Sequence, residues 1–417
     1  MQFFISKVIF CILQGTAHVI SVYIPQFVRT LSNLIGLTIS KENPSTITIM
    51  CEGDVTRKVF LLDTFSGISY TSPPYSGHVG TVLCALRPHR PIQYTRQTVD
   101  GADGNPICLD WFPADTEGNT PAKGIMIIFP GLASWSQTNY VQHFVWHAHH
   151  SGIHCCVFNA RGMGDTPLTQ PRITSAAWTE DIRWIARTAL SKSALSLRFG
   201  SAANNVWSVG FSLGGVILAK FLSEEGQKGT QDLPFDAALI LNSPLDTLAA
   251  NHNISLRKNL LYQKNMTAGL VKYVVRHKDI IKRLPGVATE GIRKDPSALL
   301  KKIKTIYDVD KYIVAPHNKF SSPEEYYAAV NTLTSLLYTK IPTLCVSAID
   351  DPVTGHPSKK QLQDVISTNN NVAFLQLPHG GHLGYIGSPL DEWNDRPSIM
   401  EVIACNICAT SSMSKKK

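Results

Sequence analysis

The chain has 417 residues, 44% hydrophobic and 17% charged, which excludes a disordered polymer and allows one large folded domain with additions. Its formal charge of +8 is interspersed with acidic residues, and its one like-charge run is Lys415 to Lys417, so nothing marks a nucleic-acid partner. Nine scattered cysteines are too few for a disulfide scaffold, and the C-x-x-C of Cys405 and Cys408 has no second pair or histidine at metal spacing, so core thiols are expected and no metal.

The first element is apolar: "FFISKVIFCILQGTAHVISVYI", Phe3 to Ile24, is interrupted by Lys7, Gln14, His18 and a few hydroxyls. Its length is close to the roughly 20 residues that span a bilayer, and no small-residue cleavage site follows it. Residues 1–40 are therefore expected to be an uncleaved membrane anchor or an interfacial helix, which would attach the protein to a membrane surface such as the endoplasmic reticulum. The alternative is a helix packed on the protein itself, in a cytoplasmic chain. Residues 41–90 are expected to extend this segment along the core.

From Pro91 onward, short apolar runs alternate with helical patterns, the signature of a mainly parallel sheet with helices on both faces. "PIQYTRQTV" and "ICLDWF" form a leading antiparallel pair around the turn signals of "DGADGN". "GIMIIFPG", "HCCVFNAR", "VWSVGFS", "AALILNSP", "IPTLCVSA" and "VAFLQLP" add six strands, eight in all, and their near-continuous hydrophobicity predicts burial on both faces. Residues 251–340, polar and basic, read as helices without strands and are too long for a plain loop. They are expected to form a cap between the core parts 91–250 and 341–410.

Within this order, Gly210-Phe211-Ser212-Leu213-Gly214 fits G-x-S-x-G at the junction of a strand and a helix. Small flanking residues allow the sharp turn that lifts a serine hydroxyl clear of a sheet, beside a helix N-terminus that favours negative charge. A serine needs a base, and the base needs an acid that fixes its tautomer. His382 in "LPHGGHLG" follows the last strand and is preferred to His379 because Gly-Gly permits close approach. In "CVSAIDDPV", neighbouring side chains of an extended segment point opposite ways, and Pro352 makes the direction of Asp351 better defined than that of Asp350. Asp351 is expected to be the acid and Asp350 a turn-capping carboxylate. For the oxyanion, the backbone N–H of Leu213 and that of Leu132 in "IIFPGLASW" are the expected donors.

With these residues, "GHVGT", "DGNPICLDW", "FPGLASWSQTNYV", "FNARGMGDTPLTQPR", "GFSLGG", "DDPV" and "GGHLGY", between Tyr75 and Trp393, give the chain a close likeness to a known group. It resembles the α/β-hydrolases of the AB hydrolase 4 family, which holds membrane-anchored medium-chain phospholipases, monoacylglycerol lipases and medium-chain ethyl ester synthase/esterases. The resemblance implies an α/β-hydrolase fold and a serine hydrolase of lipid-like carboxylic esters that needs no cofactor. Arg161 in "NARG" is expected to brace a loop. Two other functions fit the same residues: acyl transfer to an alcohol, for which no H-x-x-x-x-D signature follows His382, and an inactive hydrolase fold used for binding.

Overall fold

The computed structural model describes residues 2–20, 47–65, 76–116, 120–230, 232–287 and 296–414. At its centre is one mixed sheet. Its strands are β1 (Thr48–Met50), β2 (Thr95–Asp100), β3 (Pro106–Phe112), β4 (Gly124–Phe129), β5 (Ile153–Asn159), β6 (Val206–Phe211), β7 (Ala237–Leu241), β8 (Thr343–Ala348) and β9 (Val372–Leu377). The spatial order is β1-β9-β8-β7-β6-β4-β5-β3-β2, with β1, β2 and β3 antiparallel to their neighbours and the rest parallel.

The sheet therefore has nine strands and not eight. The extra one, β1, lies in the segment expected only to extend along the core, and pairs Thr48 to Met50 with Phe374 to Gln376 of β9. At three residues it is too short to stand out as a β-branched run.

Alternation along the buried strands builds a core on each face. On β4, Ile125, Ile127 and Phe129 join a cluster with Ile182, Val216 and Phe221, whereas Met126 and Ile128 join one with Val141 and Phe144. The helices include α1 (Gln2–His18), α2 (Gly77–Leu86), α3 (Asn139–His150), α4 (Leu213–Lys228) and α5 (Leu260–Arg276). Between β7 and β8, the described residues form helical turns and no strand.

The N-terminal helix is docked on the protein. Phe10 of α1 is buried among core residues, Lys7 Nζ lies 2.8 Å from Asp395, and Gln14 Nε2 donates to Gly387 O at 2.7 Å. Ile5, Ile9, Ile12 and Leu13 face outward. Among the described residues no helix is long and apolar enough to cross a membrane; residues 21–24 of the apolar run lie outside them. None of the nine cysteines is in a disulfide, and Cys405 and Cys408 are buried core residues.

Candidate active site

Parallel register brings five strand ends to one edge. Phe129 is level with Gly210, Phe211 with Leu241, and Ala348 with Leu377. The loops after β4, β6, β7, β8 and β9 consequently emerge together, at the edge where ligands bind in open α/β sheets.

Ser212 sits on the turn between β6 and α4 with φ 48° and ψ −120°, a region that residues with a side chain rarely adopt. Its N–H is tied to Leu241 O at 2.9 Å. The glycines of the motif answer a packing demand: a Cβ on Gly210 would lie 2.5 Å from Gly215 Cα, and one on Gly214 would lie 2.1 Å from Phe129 O. Only small residues let the helix approach this closely.

His382 follows β9 and lines the same cavity as Ser212. Its Nδ1 is 3.0 Å from Asp351 Oδ2, and its backbone N–H donates to Thr81 Oγ1 of α2 at 2.8 Å. Asp351 is buried, and its Oδ1 accepts from the N–H groups of Val353 and Thr354 at 2.8 and 3.1 Å, while Oδ2 also accepts from Asn242 Nδ2 at 3.1 Å. Burial alone would push this carboxyl up, but His382, Asn242 and the Thr354 N–H outweigh it and hold the group below its ordinary value. An ionised Asp351 at this distance would favour the His382 tautomer that carries its proton on Nδ1.

Asp350 takes a different partner. Its Oδ1 accepts from Gly381 N–H at 2.9 Å and its Oδ2 is 3.2 Å from His379 Nδ1, so this second acid–histidine pair braces the loop that carries His382. Leu132 lines the cavity beside Ser212, and Tyr140 Oη accepts the neighbouring Gly131 N–H at 2.7 Å. Leu213 occupies the first position of α4, where the N–H has no partner within the helix. Among the described residues nothing accepts from the N–H of Leu132 or Leu213.

Two positioning residues escaped the sequence reading. Asn242, just past β7 at φ 45°, donates to Asp351 and to Gly381 O at 2.9 Å, and accepts from Tyr385 Oη at 2.6 Å. Its signal was an asparagine, a residue that tolerates left-handed φ, at a strand's carboxyl end. Thr81 lies in "GHVGT", which in the sequence is a mark of the family likeness alone. Arg161 is fully buried and ion-paired with Asp103 and Asp181, away from the cavities around Ser212.

Two cavities meet at Ser212, sharing Leu132, Met266 and Val353. One, of about 1230 Å³ including space open to solvent, runs along α2 and contains His382. The other, of about 940 Å³ on the same measure, lies under the helices between β7 and β8 and is walled by Val216, Leu270, Val309, Val314 and Val330.

Among known proteins, residues 120–383 match the family model Hydrolase_4, described as serine aminopeptidase S33. The chain is 30% identical over 309 residues to an abhydrolase domain-containing protein of Dictyostelium discoideum, covering 72% of this chain and 71% of that one. It is 29% identical to the embryogenesis-associated protein EMB8 of Picea glauca over 82% of this chain and 73% of that one. With phospholipase ABHD3 of Mus musculus the identity is 28%, over 71% and 67%. The family match spans more than half of the chain and covers the strained serine turn and the loop of His382, and the chain belongs to the α/β-hydrolase superfamily, in its AB hydrolase 4 group.

Proposed function

We infer that the chain hydrolyses carboxylic esters of lipid-like acyl chains through an acyl-enzyme on Ser212. The observation that carries this reading is the strained Ser212 turn facing a cavity it shares with a histidine already paired to a buried carboxylate. The family, and a relative named as a phospholipase, support an ester as substrate.

In this reading, Ser212 Oγ attacks the acyl carbonyl while His382 Nε2 takes its proton. Charge gathers on the carbonyl oxygen, where the N–H groups of Leu132 and Leu213 stabilise it. His382 then returns the proton to the departing alkoxide, and water repeats the sequence to release the acid. Because that proton is delivered to the alcohol, the cavity holding His382 takes the alcohol part, and the cavity without His382 takes the acyl chain. The outward isoleucines of α1 suit it to lie on a membrane surface, presenting the enzyme to its substrates.

Ser212→Ala should lower the hydrolysis of a 4-nitrophenyl acyl ester by several orders of magnitude while leaving the circular dichroism unchanged. Residual turnover within about tenfold of wild type would refute the acyl-enzyme. Product analysis with added alcohol separates hydrolysis from transfer: free acid is expected to predominate over new ester.

A further inference from the structure

The acyl cavity has one feature that an alkyl chain does not require. Among its described lining residues, Asp310 is the single charged side chain, set among Val309, Val314 and Val330. It is 9% exposed, and no lysine, arginine or histidine pairs with it among the described residues. The donor it has is Tyr327 Oη, 2.6 Å from Oδ2, and the same hydroxyl lies 3.4 Å from Asn251 Oδ1, so one hydroxyl hydrogen faces two acceptors. Asn251 and Tyr327 line the cavity as well.

A buried carboxyl with a single neutral donor is unfavourable for the fold. Burial pushes Asp310 up to about 7, and the Tyr327 hydroxyl opposes that rise only in part. The backbone around it is also irregular. Asp310 opens a π-turn, Asp310–Val314, closed by Ala315 N–H to Asp310 O, and Pro316 follows with no N–H to continue an ordinary helix. Unfavourable polarity and a widened helical turn at one place in a substrate cavity point to a ligand contact.

We propose that Asp310, together with Tyr327 and Asn251, forms a polar subsite in the acyl cavity that takes a hydroxyl group carried on the substrate's acyl chain. This rests on the ester-hydrolase reading and narrows its substrate class. A hydroxyl is the matching group because it both donates and accepts: it donates to the free carboxyl oxygen or to Asn251, and it still pairs if Asp310 is protonated. An ammonium could pair with the carboxylate only if both charges were stripped of water among valines and a leucine, where burial favours the neutral acid, and a plain methylene would leave the carboxyl oxygen unpaired.

The test uses the full chain and 4-nitrophenyl esters of one straight-chain acid, alongside isomers with a hydroxyl walked from mid-chain to the end and amine-bearing counterparts. The quantity read is the ratio of kcat/KM for the substituted and plain esters within one preparation, so loss of folded protein cancels. One hydroxyl isomer should exceed the plain ester by about tenfold to a hundredfold in the wild type. Asp310→Leu should bring the ratio to one or below, and the near-isosteric Asp310→Asn should lower it part of the way, since a neutral acceptor bonds more weakly than a carboxylate. Plain-ester turnover with no hydroxyl isomer favoured, an amine isomer favoured instead, or a ratio unchanged in both variants would overturn the proposal. Failure of the ester-hydrolase reading differs, because the wild type would then turn over none of the esters.

Discussion

Ser212 is held at φ 48°, a conformation that costs of order 1–3 kcal/mol and persists only where neighbours dictate it. Here they do, through the Leu241 carbonyl behind it and the close approach of α4 that Gly210 and Gly214 permit. The adjacent acids take different partners, Asp351 turning to His382 and Asp350 to His379 and the Gly381 N–H, but they do so in a turn closed by Asp351 N–H to Ala348 O at 3.3 Å and not in the extended segment the sequence suggests. Asp351→Asn should lower kcat by about four orders of magnitude, since an amide would favour the wrong tautomer of His382. Asp350→Asn keeps an oxygen for Gly381 and should cost about tenfold or less. Steady-state kinetics on a soluble ester checks the ranking, and the reverse order would move the orienting role to Asp350. The sequence pointed to two acids beside a strand end, and the turn at Ile349 and Asp350 sets which one each histidine meets. Asn242 was not, since "LNSP" reads as an ordinary strand end until the sheet brings β7 between β6 and β8. Asp310 was hidden for a related reason: its neighbourhood carries no clean helical period, and the Tyr327 that partners it lies a helix away.

The helix α1 has two faces in different surroundings. Phe10 and Gln14 face the protein, with Lys7 paired to Asp395, whereas Ile5, Ile9, Ile12 and Leu13 face out. Hydrophobicity along Phe3 to Ile24 was plain in the sequence, but the division between faces was not, because the segment is apolar nearly all round. Truncating the helix would uncover the core as well as remove the outward face, so point changes are the better test. Each outward isoleucine would contribute on the order of 1–2 kcal/mol when buried in lipid. Ile9→Glu with Ile12→Glu should therefore weaken co-sedimentation with phosphatidylcholine vesicles by roughly tenfold or more, with turnover of a soluble ester retained. Equal sedimentation of the two proteins would show that α1 serves only the protein's own packing. Nearby, Arg87 reaches from the end of α2 to buried Glu392 and Glu401 at 3.0 and 3.1 Å.

The whole molecule explains why residues far apart in sequence converge. Parallel strands β4, β6, β7, β8 and β9 end level with one another, and the helical segment between β7 and β8 contributes a wall to the cavity under it. Buried parallel strands announce themselves by continuous hydrophobicity, so β4 to β9 were legible in that way and β2 and β3 from the turn signals between them; β1 owes its conformation to the free edge of β9 and not to its own three residues. We infer that this convergence makes Ser212 a nucleophile activated by His382. The direct measurement is labelling of the full chain with a fluorophosphonate, followed by peptide mapping of the adduct. A single adduct on Ser212 in the wild type, lost in Ser212→Ala and strongly slowed in His382→Ala, is the predicted result. An adduct on another residue, or labelling at an undiminished rate without His382, would contradict it.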